Sequence, residues 1–226
     1  MAQRVIVTGA RGVLGRAVVE AFLAAGHRVT APVRGDASSV AFSGEVAVID
    51  GADLSDPAAA RSAFERAKAA LGGADVLVNV AGGFTFEMIS DGSPAAWREM
   101  FAMNLETCAN LSRVAASGLA DGGAIVNVGS AAATTAGAGM APYAASKAGV
   151  AKLTESLAAE LKGRVRVNAV LPSVMDTPRN RSDMPDADPA AWTAPAAVAD
   201  AIVFLASPQA RAINGALVPV TNPASA

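Results

Sequence analysis

Short, continuously apolar runs alternate with longer stretches in which apolar residues recur every three or four positions, and the alternation persists from residue 4 to residue 220. The short runs, at 4–8, 28–33, 46–49, 76–80, 125–128, 165–170 and 216–220, are rich in Val and Ile and are predicted as strands. Between them, 14–25, 57–71, 94–119, 143–161 and 195–206 are predicted as helices. In the first of these Leu14, Val18, Ala21, Phe22 and Ala25 fall on one stripe, and Gly26 follows as a C-cap. A strand that is apolar at consecutive positions has no face to offer water, so it belongs in a parallel sheet covered on both sides. The expected fold is α/β: one doubly wound domain over 1–226, its sheet mainly parallel and seven-stranded, with helices on both faces.

One stretch breaks the rhythm. Pro172, Pro178, Pro185, Pro189 and Pro195 crowd into two dozen positions, which marks an insertion at about 173–194 rather than a regular element. Long loops at strand C-terminal ends tend to cover the ligand in this architecture, so a lid is expected; a surface excursion is the alternative. The Gly/Ala-rich stretch 131–139 reads as a loop.

Composition narrows the function. With 52% hydrophobic residues the chain can build a sizeable core. A net charge of −2 without any basic run argues against nucleic-acid and membrane-surface partners. The apolar residues 5–7 are too few for a signal-peptide core and no run approaches the ~18 residues of a membrane span, so a cytoplasmic location is expected. The single cysteine, Cys108, excludes an internal disulfide and reads as core packing. The single histidine, His27, leaves little for a zinc site or a Ser-His-Asp hydrolase, and no metal is expected.

The first strand runs into Gly9-Ala10-Arg11-Gly12-Val13-Leu14-Gly15 and then a helix. Glycines there let a pyrophosphate approach the main chain, while the helix start offers free N–H groups and a positive dipole end. Three such glycines are a weak signal alone; a strand before and a helix after strengthen it and give the domain a Rossmann-type, dinucleotide-binding reading. An NAD site usually has an acidic residue ending the second strand to hold the ribose hydroxyls. Here that strand ends Val33-Arg34, and Arg34, with Arg11 as a second cation, can pair with a 2′-phosphate, which favours NADP(H) over NAD(H). In the alternative reading Arg34 is merely solvated and Asp36 supplies the carboxylate.

The only tyrosine lies in Tyr143-Ala144-Ala145-Ser146-Lys147. Residues four apart share a helix face, so phenol and ammonium sit side by side, and the ammonium is expected to lower the phenol's pKa. Such a phenol is a usable general acid or base. The pair alone is a common accident. Ser130 at the end of the fifth strand and Asn104, an amide inside an apolar helix where it is unfavourable without a partner, make it less so.

Together these residues resemble the short-chain dehydrogenase/reductase family over nearly the whole chain. The likeness includes Asp53-Leu54, Asn79-Val80-Ala81-Gly82, the thirteen positions from Ser130 to Tyr143, and Arg166 through Pro172. It implies hydride transfer between nicotinamide C4 and a small carbonyl or related substrate. Tyr143 would be the acid, Ser130 would polarise the carbonyl, Lys147 would bind the nicotinamide ribose, and Asn104 would anchor a water of the proton relay. The resemblance also implies that Asp53 and Leu54 border the adenine, that the backbone at Asn79, Ala81 and Gly82 borders its ribose, and that Pro172, Met175 and Thr177 border the carboxamide. Family members associate through the helices equivalent to 94–119 and 143–161, so a homodimer or homotetramer is implied.

Residues 171–193, with their Trp192-Thr193, are locally similar to quinoid dihydropteridine reductases, which implies a pterin as an alternative substrate. Val33-Arg34 and Ser130 depart from that pattern. A non-catalytic dinucleotide sensor is the other alternative, disfavoured by the intact Asn104, Ser130, Tyr143 and Lys147 set. Trp192 is open between packing and substrate contact.

Overall fold

A computed structural model describes residues 2–36 and 41–222. Its strands are β1 (Arg4–Val7), β2 (Arg28–Pro32), β3 (Val46–Ile49), β4 (Val76–Asn79), β5 (Gly123–Val128), β6 (Val165–Pro172) and β7 (Leu217–Val220). They form one seven-stranded sheet of order β3-β2-β1-β4-β5-β6-β7, every pairing parallel. All positions of β4 and β5 are buried, as their unbroken apolar runs require.

Because successive side chains leave a strand on opposite faces, each strand feeds two cores. Val5, Val7, Val76, Val78, Val126 and Val128 point to one layer, closed by α1 (Val13–Ala24) and α7 (Pro195–Ala206). Ile6, Leu77, Ile125 and Val167 point to the other, closed by α2 (Pro57–Leu71), α4 (Thr107–Gly118) and α5 (Ala141–Glu160). Local signals agree with these bounds. The α2 helix opens with Asp56 accepting from Ala59 N at 2.7 Å and Pro57 in the first turn, and it stops at Gly72.

Two regions differ from the sequence expectation. The single helix expected over 94–119 is three segments: α3 (Pro94–Met100), a wider π-type stretch Phe101–Glu106, and α4. The proline-rich insertion is not irregular throughout, since it holds the short helix α6 (Pro178–Asp183) and a 3-10 turn at Pro189–Ala191. No helix among the described residues is long and apolar enough to cross a membrane.

Candidate active site

In the strand order the chain reverses direction of travel between β1 and β4, and a crevice at the C-terminal strand ends is the expected ligand position there. Thr8, just past β1, ties the two sides of that crevice together. Its Oγ1 accepts from Val80 N and Ala81 N, both at 3.0 Å. Gly9 follows with φ +68°, and a Cβ on it would lie 2.8 Å from Ala81 N, so the turn tolerates neither another conformation nor a side chain.

Helix α1 then starts from Gly12, which is extended and offers no side chain to the N–H groups of the first turn. The caps of α2, α3 and α6 are Asp56, Ser93 and Thr177, each of which accepts such a bond. The first turn of α1, with half-exposed Val13 and Leu14 beneath it, is thus left to an anion, which fits a dinucleotide pyrophosphate.

At the β2 edge of the crevice, Arg11 Nη1 donates to Arg34 O at 2.9 Å, which brings both cations to one corner. Arg34 is extended to solvent and reaches Asp53 Oδ2 only at 3.8 Å. Asp53 Oδ1 accepts from Ser55 N and Oγ, and chiefly these bonds hold its carboxyl below the usual range. Leu54 turns into the core.

The end of β4 leads towards the other functional groups. The Asn79 side chain points away from the crevice into a buried polar network. It donates to Ser112 Oγ (3.0 Å) and Asn127 Oδ1 (2.9 Å), and Asn127 donates to Thr154 Oγ1 (2.9 Å). Cys108 Sγ lies 3.4 Å from Asn127 Oδ1, and burial pushes its thiol up to about 11, a packing cysteine and no nucleophile.

Asn104, in the π stretch, is almost wholly buried and fully engaged. Its amide exchanges bonds with Gly83 N (2.9 Å) and Gly83 O (3.1 Å), and it donates to Ser146 Oγ (3.0 Å) on α5. Ser146 in turn donates to Tyr143 O at 2.7 Å. The unfavourable mid-helix amide therefore has its partners: it clasps the β4 turn to the helix carrying Tyr143 and Lys147. The π geometry that carries it is a recurrent mark of functional sites.

Gly82 leaves the space for this clasp, since a Cβ there would lie 2.5 Å from Asn104 Oδ1 and 3.3 Å from Lys147 Nζ. Gly82→Ala is expected to lower stability by about 1–3 kcal/mol through this overpacking and to reduce turnover at least tenfold. Thermal unfolding and steady-state rates check both; a variant with parent values would mean the clasp yields freely.

Tyr143, Ser130 and Lys147 meet where β5 ends and α5 begins. Ser130 is buried, its Oγ accepts from Ala132 N at 3.1 Å, and it faces the Tyr143 phenol closely enough to favour its ionised form. Lys147 is buried too. Its Nζ donates to Val128 O at 2.9 Å and stands 6.0 Å from the centre of the Tyr143 ring. Burial brings its pKa from 10.5 down to about 8.

This corrects one expectation. The Tyr143 pKa is raised, because burial outweighs the opposing influence of Ser130, and the Lys147 ammonium is directed at a carbonyl instead. Phe84, which sequence reasoning missed, packs its ring edge-to-face on Tyr143 at 5.0 Å.

Pro172 closes β6 buried, and Met175 and Thr177 follow in the insertion, with Thr177 Oγ1 capping α6 at Asn180 N (3.2 Å). The two tryptophans divide clearly. Trp192 is buried, whereas Trp97 lines a cavity of about 400 Å³ with Met88, Ile89, Arg98 and Pro142, the residue before Tyr143. His27 lies at the opposite end of the strands, its Nδ1 accepting from Gln3 N at 3.0 Å. Among the described residues no group of His, Cys, Asp or Glu is placed to hold a metal.

Residues 3–188 match the short chain dehydrogenase family. The 3-oxoacyl-[acyl-carrier-protein] reductase FabG of Vibrio harveyi is 31% identical over 224 residues, covering 93% of this chain and 92% of that protein. D-threitol dehydrogenase of Mycolicibacterium smegmatis is 33% identical over 229 residues, covering 93% and 88%. A short chain dehydrogenase from Burkholderia cenocepacia J2315, solved in complex with NADP, superposes with a TM-score of 0.87 at 32% identity, covering 99% of this chain and 98% of that one. With the sheet order, the glycine turn and the Ser130–Tyr143–Lys147 cluster in place, the chain belongs to the short-chain dehydrogenase/reductase family and is an NAD(P)-dependent oxidoreductase.

Proposed function

We propose that this protein is an NADPH-dependent reductase of small carbonyl compounds, with Tyr143 as the general acid. The observation that carries the reading is the meeting of a half-buried, protonated phenol with Ser130 and Lys147 at the C-terminal edge of the sheet.

A dinucleotide bound along the crevice would supply the hydride; Gly9, Gly12 and Gly15 with the N–H groups of Val13 and Leu14 would receive its pyrophosphate. Asp53 and the main chain at Leu54, whose side chain lies in the core, would flank the adenine, the main chain at Asn79, Ala81 and Gly82 would flank the adenosine ribose, and Pro172, Met175 and Thr177 would flank the carboxamide. Ser130 donates to the carbonyl oxygen and Tyr143 delivers its proton there as negative charge develops. Lys147 would hold the nicotinamide ribose, and Asn104 fixes the helix on which Tyr143 and Lys147 ride. A phenol whose pKa is raised is protonated at neutral pH, the state that a general acid for carbonyl reduction needs.

The flank of the site is apolar. Phe84 and Phe86, with Met88 and Ile89, are exposed beside Tyr143 and the 400 Å³ cavity. They favour a small substrate with an apolar body over a heavily hydroxylated one. The 173–194 insertion is read as the lid over it. The assembly is read as a homodimer or homotetramer through the outer faces of α4 and α5.

For the cofactor, Arg34 and Arg11 at the β2 corner support NADPH, as does the NADP complex of the Burkholderia relative. The test is loss of reduced-nicotinamide absorbance with a panel of ketones, quinones, 3-oxoacyl thioesters and quinonoid dihydropterin. The NADPH to NADH efficiency ratio is expected to exceed one and to fall at least tenfold in Arg34→Glu, which sets a carboxylate where the 2′-phosphate would lie. A parent ratio below one removes the Arg34 argument, and no turnover of any carbonyl removes the reading.

A further inference from the structure

The insertion that follows β6 joins the body at a compact polar neck. Ser173 N donates to Val220 O at the end of β7 (3.2 Å), and Ser173 Oγ is hydrogen-bonded to Thr193 Oγ1 (2.8 Å) at the far end of the insertion. Thr193 is only 2% exposed. Its N–H donates to Val174 O (2.8 Å) and its carbonyl accepts from Asp176 N (2.9 Å), which forms a parallel bridge between Met175 and Thr193.

A third segment enters after β7. Asn222 N donates to the same Thr193 Oγ1 at 3.1 Å, and its Nδ2 donates to Ala190 O (2.8 Å) and Trp192 O (3.0 Å). One buried hydroxyl thus gathers the start of the insertion, its end, and the chain beyond β7.

Beyond the neck the insertion braces itself. Arg181 donates to both oxygens of Asp176 (2.6 and 2.8 Å), Asn180 Nδ2 donates to Met175 O (2.8 Å), and Thr177 caps α6. A block with its own internal bonds, hung from a polar neck, changes position as a unit when the neck changes. Met175 and Thr177 are part of that block, directly beside the neck.

We propose that Thr193, supported by Ser173 and Asn222, is a positioning residue that sets where the insertion stands over the nicotinamide end of the cleft. The segment after β7 then takes part in cofactor binding without touching the cofactor. This rests on the reading that Met175 and Thr177 border the carboxamide.

The test uses the full chain as Thr193→Val, which keeps the volume and removes the hydroxyl, with Thr193→Ser as the conservative rescue. Hydrogen exchange is followed across 176–192 and across β4 and β5, alongside NADPH KM and kcat. Exchange in 176–192 is expected to rise tenfold or more and the NADPH KM fivefold or more. The expected kcat at saturating NADPH stays within twofold, and Thr193→Ser restores both changed quantities. Parent-like exchange overturns the neck, and a rise that extends equally into β4 and β5 overturns it as a merely structural role. Loosened exchange with a parent KM overturns its link to the cofactor. If Thr193→Val does not fold, Asn222→Ala, at the surface end of the same network, takes its place, with the same measurements and the same expected and overturning results. Failure of the catalytic reading is separate, because exchange and the NADPH Kd from direct titration, expected to rise fivefold or more as KM does, judge the neck even in a chain that reduces no carbonyl.

Discussion

Tyr143→Phe is expected to lower kcat for carbonyl reduction by two to four orders of magnitude, a rise of roughly 3–5 kcal/mol in the barrier. The change removes one oxygen from a ring that is otherwise held by Phe84 at 5.0 Å and by its helix, whose backbone is tied through Ser146 to Asn104. The ring stays, so the cleft keeps its shape and NADPH binding is expected to remain within twofold. Among the described residues no hydrogen bond elsewhere in the fold runs through the phenol oxygen, so stability is expected to stay within about 1 kcal/mol of the parent. The signature is a collapse in kcat without a collapse in cofactor affinity or folding, read by single-turnover kinetics, cofactor titration and thermal unfolding. A variant that turns over like the parent would remove Tyr143 from the chemistry.

Lys147→Met is expected to do two opposite things: abolish at least 99% of turnover and stabilise the cofactor-free fold. The stabilising half follows from linkage. The folded pKa of about 8 lies below the unfolded 10.5, so the unfolded chain holds this proton more tightly. Below pH 8 both states are charged and the buried ammonium is a constant penalty of roughly 3 kcal/mol. Between pH 8 and 10.5 the folded lysine is neutral while the unfolded one is still protonated, and the penalty fades as pH rises. Methionine carries no such charge. It leaves Val128 O without its donor, so a net gain of about 1–2 kcal/mol is expected at pH 7, a few degrees in Tm, shrinking towards pH 10. Thermal unfolding at pH 7 and pH 10 reads both the sign and the trend. A lower Tm at pH 7 would mean that the ammonium is a net structural asset.

The layered α/β fold was legible because burial on both faces of a parallel sheet writes itself as unbroken apolar runs, and β4 and β5 are such runs. The helix bounds followed from prolines and glycines with a mechanical reason to stand where they do. The π stretch at 101–106 was not legible, because apolar spacing at this length does not distinguish a widened turn from an α-helix. What could have found it was Asn104, whose amide is unfavourable in a helix unless something nearby receives it.

The residues of the site were legible as types in an order, and the structure brings Ser130, Tyr143 and Lys147 together. Their electrostatics were not legible. Spacing places an ammonium one turn from a phenol but does not say that Val128 O captures it, or that burial shifts both groups. The neck at Thr193 escaped sequence reading for a related cause: its partners Ser173 and Asn222 are twenty and twenty-nine positions away, and hydroxyls carry no periodic signal.

That the half-buried phenol at the site is also the only phenol in the chain has a practical consequence. The ultraviolet band that grows as a tyrosine ionises is a single-residue signal in this protein, with no surface tyrosines beneath it. Tyr143→Phe is its own blank. The proton donor can therefore be watched directly, with and without cofactor, without introducing a label.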